Sequence, residues 1–290
     1  MVFYPAFPCS AYEAENAVPL HLETDLAVSD ISEVDLALEG RQVTLRMTFN
    51  VAVAKARTAR FLAHTPMFEE SGVGEEHADK TFSDLRVTLD GRKVKTRSSA
   101  GGFFDGKDIT GLLASEGISP LPGSSTSETA LRHLLARHAI DLERHGSWRG
   151  MVSKRWTIRL RPATKSVVTV TYEALPEFSI QELGSQELAQ LIDRHCGDVA
   201  RVIPLPASHT PEARQFVLVE RYDIPLPRTP DGVSYRVAQP IKNWLGARPV
   251  TTLACGTQER SGPNLKGRWS LQDLPLSMLV ISALDDPEAQ

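Results

Sequence analysis

Apolar and polar residues alternate along several short stretches of the chain, which is typical of β-strands with one buried face. Residues 34–38 and 43–49 alternate on either side of Gly40, residues 87–89 lead through Asp90-Gly91 to Val94, and residues 156–160 and 168–172 flank a turn at 162–165. Asp-Gly tolerates the positive φ angles of a type I′ turn. We expect these three hairpins to form one antiparallel sandwich.

One face of each hairpin is predicted to be buried in a common core. Thr44, Arg46 and Thr48 are predicted to lie on the opposite face of their strand. The predicted core residues are Val43, Leu45, Met47, Phe49, Val87, Leu89, Trp156, Ile158, Leu160, Val168, Val170 and Tyr172.

The C-terminal part of the chain is predicted to add five short strands, and two helices interrupt the strand pattern. The strands are expected at 216–222, 233–237, 250–255, 268–271 and 276–281. The first helix is expected at 126–145, with a capping box of Ser125 and Glu128, and the second runs from Ser185 to Gly197. Segments 98–106 and 117–127 are rich in Gly, Ser and Pro and are predicted to be mobile surface loops.

The resulting prediction is a mainly β protein: an antiparallel β-sandwich architecture with two sub-domains and two short helices. Its 290 residues would divide into a tail or remnant of an export signal at 1–17, an N-terminal sandwich at 18–178 and a C-terminal β sub-domain at 179–290. The N-terminal sandwich carries a loop and helix insertion at 98–150, and the C-terminal sub-domain begins with the second helix.

Composition narrows the classes of partner and the compartment. The net charge is −4 with cations and anions interspersed, so the chain has no basic stripe for a nucleic acid backbone. No apolar run approaches the roughly 18 residues needed to cross a bilayer, so we expect no membrane span.

Residues 1–7 are too short for a signal peptide, but Cys9-Ser10-Ala11 has the small residues of a cleavage site. The segment is interpreted either as the end of an export signal or as an ordinary tail.

One polar cluster could carry metal chemistry. Glu75, Glu76, His77 and Asp79 lie close together in sequence and, with His64, could hold a divalent ion for a metal-assisted hydrolase. Their spacing matches neither a calcium loop nor a metalloprotease helix, so a solvated loop is favoured and no cofactor is expected. Nucleophile elbows, phosphate loops and dinucleotide fingerprints are absent from the sequence.

A second candidate binding site consists of two neighbouring aromatic residues. Phe103-Phe104 lies between Gly101-Gly102 and Asp105-Gly106, in a segment interpreted as too short and flexible for a core strand. Such a tip could contact a ligand or partner. The favoured alternative is that both rings fold back onto the sandwich.

Several stretches, taken in order, resemble a family of bacterial exported proteins known as domain of unknown function 4424. The resemblance runs from about Val34 to Ile281. It rests on Phe61 to Phe68, Gly74 to Lys80 with Phe82, Leu89 to Val94, Gly106 to Thr110 with Leu112-Leu113, Trp156 to Arg159, Val168 to Tyr172, His195 to Asp198 and Leu253 to Cys255. It implies a β-rich fold exported to the periplasm or beyond, and it transfers no catalytic residues.

The resemblance also places Cys196 and Cys255 where family members carry cysteine, and both lie at predicted element ends. Because export implies an oxidising compartment, we expect a disulfide between them, with Cys9 left unpaired or removed. The leading functional hypothesis is a non-enzymatic envelope protein that binds a ligand or partner through its β-scaffold. The alternatives are the metal-assisted hydrolase and an assembly module that uses an exposed strand edge.

Overall fold

Seventeen strands and two helices make up the described part of a computed structural model of the chain. That part comprises residues 12–14, 21–24, 30–50, 57–64, 84–121, 136, 148–161, 164–174, 176–196, 215–222, 224, 232–242, 248–254, 264–269 and 278–283, with some side chains left out at its margins. The strands are β1 (Tyr12–Ala14), β2 (His21–Thr24), β3 (Ile31–Glu39), β4 (Gln42–Asn50), β5 (Arg57–His64), β6 (Arg86–Leu89), β7 (Arg92–Lys93), β8 (Arg97–Phe104), β9 (Lys107–Asp108), β10 (Arg149–Leu160), β11 (Lys165–Glu173), β12 (Glu177–Leu183), β13 (Gln215–Tyr222), β14 (Val233–Ala238), β15 (Arg248–Ala254), β16 (Asn264–Trp269) and β17 (Met278–Ala283). The helices are α1 (Thr110–Ser115) and α2 (Ser185–Cys196).

The strands form three sheets, which confirms the prediction of a mainly β, sandwich-like fold. The large sheet has the order β16-β14-β3-β4-β11-β6-β7. The second has the order β2-β5-β10-β8-β9, and the third β1-β12-β13-β17-β15. Pairing is antiparallel throughout the described strands except between β14 and β3, which run parallel.

A shared apolar core joins the sheets. Phe49 of the large sheet packs edge-on against Phe61 of the second sheet, with ring centroids 6.1 Å apart, and Phe61 stacks on Trp156 at 5.4 Å. Tyr222, Met278 and other residues of the third sheet belong to the same core. The twelve predicted core residues all lie in it or against it, and Leu89 alone among them is only partly buried.

Turn chemistry fixes the two hairpins that were predicted correctly. β3 and β4 pair in register around Gly40, whose φ of 59° suits glycine. β6 and β7 meet at Asp90 and Gly91, both with positive φ, as a type I′ turn requires. The Asp90 carboxylate also accepts a hydrogen bond from the Val167 N–H at 2.8 Å, which ties this turn to β11.

The third predicted hairpin is wrong, although both of its strands exist. β10 pairs with β5 and β8 in the second sheet, whereas β11 pairs with β4 and β6 in the large sheet. The connection between them therefore crosses from one sheet to the other. Both strands bury alternate residues in the shared core, so the same apolar pattern fits a hairpin and a crossover equally well.

A C-terminal strand overlaps each of the five predicted ranges, although β16 (Asn264–Trp269) shares only residues 268 and 269 with the predicted 268–271. These strands do not all pair with one another. β14 lies against β3, and β16 lies against β14, so the large sheet contains strands from both sides of residue 178. β13, β17 and β15 pair in the third sheet with β12. The division of the chain into units at 18–178 and 179–290 stays a prediction.

The segment predicted as a loop at 98–106 is instead a strand and part of a hairpin. β8 pairs with β10, then turns at Asp105 and Gly106, both with positive φ, into β9. Helix α1 follows and packs against β8, where Leu113, Ile118 and Trp148 form a small separate cluster. The Trp148 indole N–H donates to the Pro120 carbonyl at 3.0 Å. The glycines that suggested flexibility instead allow close packing at Gly102 and a tight turn at Gly106.

The second predicted helix is confirmed as α2. Gly184 rather than Ser185 occupies the N-cap, because the Leu188 N–H donates to the Gly184 carbonyl and the Glu187 carboxylate accepts from the Gly184 N–H at 2.8 Å. Leu188 and Leu191 are buried on one side of the helix. Of the predicted helix at 126–145 only Ala136 is described, and it is helical. The proposed capping box of that helix lies outside the described residues.

Candidate functional site on the outer face of the large sheet

The outer face of the large sheet carries a row of side chains that crosses five neighbouring strands. The Cα register places Arg236 of β14 beside Ala37 of β3, then Thr44 of β4, Thr171 of β11 and Arg86 of β6. Directly paired residues point to the same side of a sheet. Short side chains therefore form the floor in the middle of the row, and long guanidinium side chains stand at both ends.

A groove of about 270 Å³ lies over the β14 end of this row. We call it the β3 groove. Asp35 and Arg46, which are cross-strand neighbours, form its polar walls together with Arg236. It is lined by Asp35, Leu36, Ala37, Thr44, Arg46, Ser234, Tyr235 and Arg236.

The charges of the β3 groove differ in how they are paired. Arg236 forms an ion pair with Glu39 at the rim. Asp35 and Arg46 stand beside each other, but neither makes an ion pair or a side-chain hydrogen bond within the described part of the chain. The groove thus presents one guanidinium and one carboxylate that face solvent, beside the hydroxyls of Thr44 and Ser234. Such a set can bind a small solute that carries a carboxylate.

A second groove of about 200 Å³ lies over the β6 end of the same row, and we call it the β11 groove. It is lined by Arg41, Gln42, Asp84, Arg86, Thr171, Tyr172 and Glu173. Asp84, Arg86 and Glu173 make no ion pair among the described residues. The two grooves are neighbours, because Thr44 of the first is the direct cross-strand partner of Thr171 of the second.

Two buried side chains, Glu220 and Tyr222, form a network with Arg41 of the β11 groove. The Arg41 guanidinium lies 3.8 Å from the Glu220 carboxylate of β13, and Glu220 accepts a hydrogen bond from the Tyr222 hydroxyl at 3.3 Å. Burial raises the pKa of Tyr222 well above its usual range, and the Glu220 charge raises it further. Tyr222 is therefore a neutral hydrogen-bond donor, and Glu220 places a negative charge behind Arg41.

Of the five residues of the predicted metal site, the structure describes only His64. His64 ends β5 in the second sheet and is half-buried, where it pairs in register with Ser153. Glu75, Glu76, His77 and Asp79 lie outside the described residues. No group of three or more His, Cys, Asp or Glu side chains suited to a metal is found in the described ranges. Whether the five predicted residues converge stays a prediction.

The predicted aromatic tip is part of the β8–β9 hairpin. Phe103 and Phe104 are half-buried, and Phe104 packs against the cluster of Leu113, Ile118 and Trp148. The interpretation of their segment as too flexible for a strand is wrong, because Asp105-Gly106 makes the same kind of turn as Asp90-Gly91. A role for either ring in binding stays a prediction.

The predicted disulfide falls outside what is described. Cys196 is the last residue of α2, but its side chain is not described, and Cys255 and Cys9 lie outside the described residues. Among the helices of the described part, none is long and apolar enough to span a membrane.

Sequence reasoning missed both grooves. The alternation on β4 predicted that Thr44, Arg46 and Thr48 share the outer face. Thr44 and Arg46 are at least partly exposed there, whereas Thr48 is buried. The rest of the β3 groove comes from β3 and from β14, and β14 is distant in sequence and pairs in parallel with β3. A signal was present in the short residues at floor positions, Ala37 and Thr44, between long charged ones. This pattern of short and long side chains can be interpreted only once the strand order is known.

Comparisons with known proteins give a distant likeness. No family model and no curated protein matches the chain. Among solved structures, a Legionella pneumophila protein described as a "putative nutrient binding protein" aligns with a TM-score of 0.38 and 10% sequence identity. The alignment covers 91% of this chain and 72% of that protein. At this TM-score the likeness carries no functional argument.

Proposed function

We propose that this protein is a non-enzymatic binding protein of the bacterial cell envelope, and that the β3 groove binds a small solute through a carboxylate group. One observation carries the proposal: Arg46 and Asp35 stand side by side over a floor of short side chains, and neither is held by an ion pair within the described residues. A guanidinium in that state is ready to form a bidentate pair with a carboxylate.

The dimensions of the β3 groove favour a small ligand. Its volume is about 270 Å³, just below the roughly 300–1,000 Å³ of pockets that take drug-sized ligands. The Thr44 and Ser234 hydroxyls can donate to the same anion, while Asp35 can accept from an ammonium or hydroxyl group of the ligand.

The envelope location is the part of the proposal that rests on the sequence. It is supported by the resemblance to an exported family and by the small residues at Cys9-Ser10-Ala11. Fractionation of cells that express the protein from its natural gene tests it. Recovery in the periplasm or medium supports export, and recovery in the cytoplasm contradicts it.

The binding proposal is tested by calorimetric titration with acetate, succinate and L-alanine at low ionic strength. Arg46→Gln removes the guanidinium and is expected to weaken binding about tenfold, which corresponds to about 1.4 kcal/mol. Arg159→Gln is the matched control, because Arg159 is an exposed arginine on β10 of the second sheet. Equal affinities for wild type and Arg46→Gln, or equal losses in both variants, contradict the proposed site.

A further inference from the structure

Two opposite charges of the β3 groove stand side by side without pairing with each other. Asp35 of β3 and Arg46 of β4 are direct cross-strand partners, and the Cβ atoms of such partners lie about 4.5–5.5 Å apart on the same face. Neither side chain makes an ion pair or a hydrogen bond within the described part of the chain. Asp35 is half-buried and Arg46 is exposed. One ligand whose own charges lie close together can therefore pair with both.

The other charge of the β3 groove does not alter this balance. The described residues that line the groove carry three charges, and that of Arg236 is paired with Glu39 at the rim. One cation and one anion remain for a ligand, so the groove has no net charge to offer a simple anion. A ligand with a carboxylate alone would pair with Arg46 but would also meet the Asp35 carboxylate, and like charges within about 4–6 Å disfavour each other.

Short side chains flank Asp35 and leave its carboxylate within reach of a ligand in the groove. Ser234 of β14 is its direct partner on one side, and Ala37 follows two residues along β3 on the same face. Both residues line the groove. The Ser234 hydroxyl can also donate to a ligand carboxylate. A cationic group that enters the groove beside Arg46 can therefore reach Asp35.

We infer that the β3 groove binds free α-amino acids, with the ligand carboxylate on Arg46 and the ligand ammonium on Asp35. An α-amino acid carries both charges on one carbon atom, and this close spacing matches the neighbouring charges of the groove. Its ammonium makes a charge-assisted hydrogen bond with Asp35, about twice as strong as that of a neutral hydroxyl. The inference rests on the proposed carboxylate site and adds the class of ligand.

The test uses calorimetric titration of the intact protein with L-alanine, L-lactate and ethylamine. L-lactate has a hydroxyl in place of the ammonium, and ethylamine lacks the carboxylate. L-alanine is expected to bind at least about tenfold more tightly than either analogue, because each analogue lacks one of the two charged pairings. The inference is overturned if L-alanine binds no more tightly than L-lactate or than ethylamine.

Asp35→Asn tests the ammonium contact from the side of the protein. It is expected to weaken L-alanine and to strengthen L-lactate, because it removes both the partner of the ammonium and the charge that repels the carboxylate. Damage to the fold would weaken both ligands, so opposite changes identify the contact. The matched control is Asp193→Asn, since Asp193 is an exposed aspartate on α2, and it is expected to change neither affinity.

Arg46→Gln separates failure of this inference from failure of the proposed function. It is expected to weaken L-alanine and L-lactate alike, because both bring a carboxylate to the guanidinium. If Asp35→Asn leaves the ratio of the two affinities unchanged, the inference is overturned, and binding that still depends on Arg46 preserves the proposed function. Absence of any Arg46-dependent binding overturns both.

Discussion

Gly102 is the position at which the docking of the β8–β9 hairpin can be tested most sharply. A Cβ atom at Gly102 would lie 2.4 Å from Leu113 Cδ1, 3.1 Å from the Pro120 carbonyl oxygen and 3.3 Å from Trp148 Cδ1. Carbon atoms in contact are normally about 3.5–4.0 Å apart, so Leu113 must move by about 1 Å. Leu113 is fully buried and the Pro120 atom belongs to the backbone, so neither yields easily.

Gly102→Ala is therefore expected to destabilise the hairpin and α1 by about 1–3 kcal/mol, the usual cost of overpacking. Gly111→Ala is the matched control, because a Cβ at Gly111 in α1 meets nothing within 4 Å. There the same substitution is expected to stabilise by up to about 1 kcal/mol, since alanine favours the helix.

The assays are urea denaturation followed by circular dichroism and limited proteolysis of residues 98–121. Gly102→Ala is expected to lower the midpoint or speed cleavage of this segment, and Gly111→Ala is expected to do neither. If Gly102→Ala matches wild type in both assays, the hairpin is not docked as described. Rapid cleavage of this segment in the wild-type protein would instead favour the original expectation of a mobile loop.

Three further predictions concern the core, the disulfide and the metal hypothesis. Leu45→Asp, at a core position that is 3% exposed, is expected to cost several kcal/mol because it buries an unpaired charge; a melting temperature within two degrees of wild type would refute the strand register. For protein from an oxidising compartment, thiol titration under denaturing, non-reducing conditions is expected to find Cys196 and Cys255 unreactive, and three reactive thiols would contradict their disulfide. Zinc, manganese or calcium is expected to leave the melting temperature unchanged, and a rise of several degrees that His77→Ala abolishes would establish the metal site.

Local patterns predicted most of the strands because burial alternates along them and because turn residues have specific backbone requirements. Asp90-Gly91 fixed a hairpin that the structure confirms, and Asp105-Gly106 marks a second hairpin by the same chemistry. The segment around Gly102 was misread because glycine is compatible with both flexibility and close approach. Only the neighbouring Leu113 and Trp148 distinguish the two, and they come from other elements.

Long-range pairing could not be predicted in the same way. The connection from β10 to β11 crosses between sheets, although its residues fit a hairpin. The candidate site depends on the parallel pairing of β14 with β3, which brings Ser234 and Arg236 beside Asp35 and Ala37. Nothing local to either strand specifies that neighbour, because an alternating strand can pair along either edge.

The central claim is that the outer face of the large sheet binds a carboxylate at the β3 groove. Nuclear magnetic resonance titration of the isotope-labelled protein with succinate tests it residue by residue. The account predicts the largest amide shifts at Asp35, Ala37, Thr44, Arg46 and Ser234, and their loss in Arg46→Gln. Shifts confined to residues 98–121, or a succinate response that Arg46→Gln leaves intact, would contradict it.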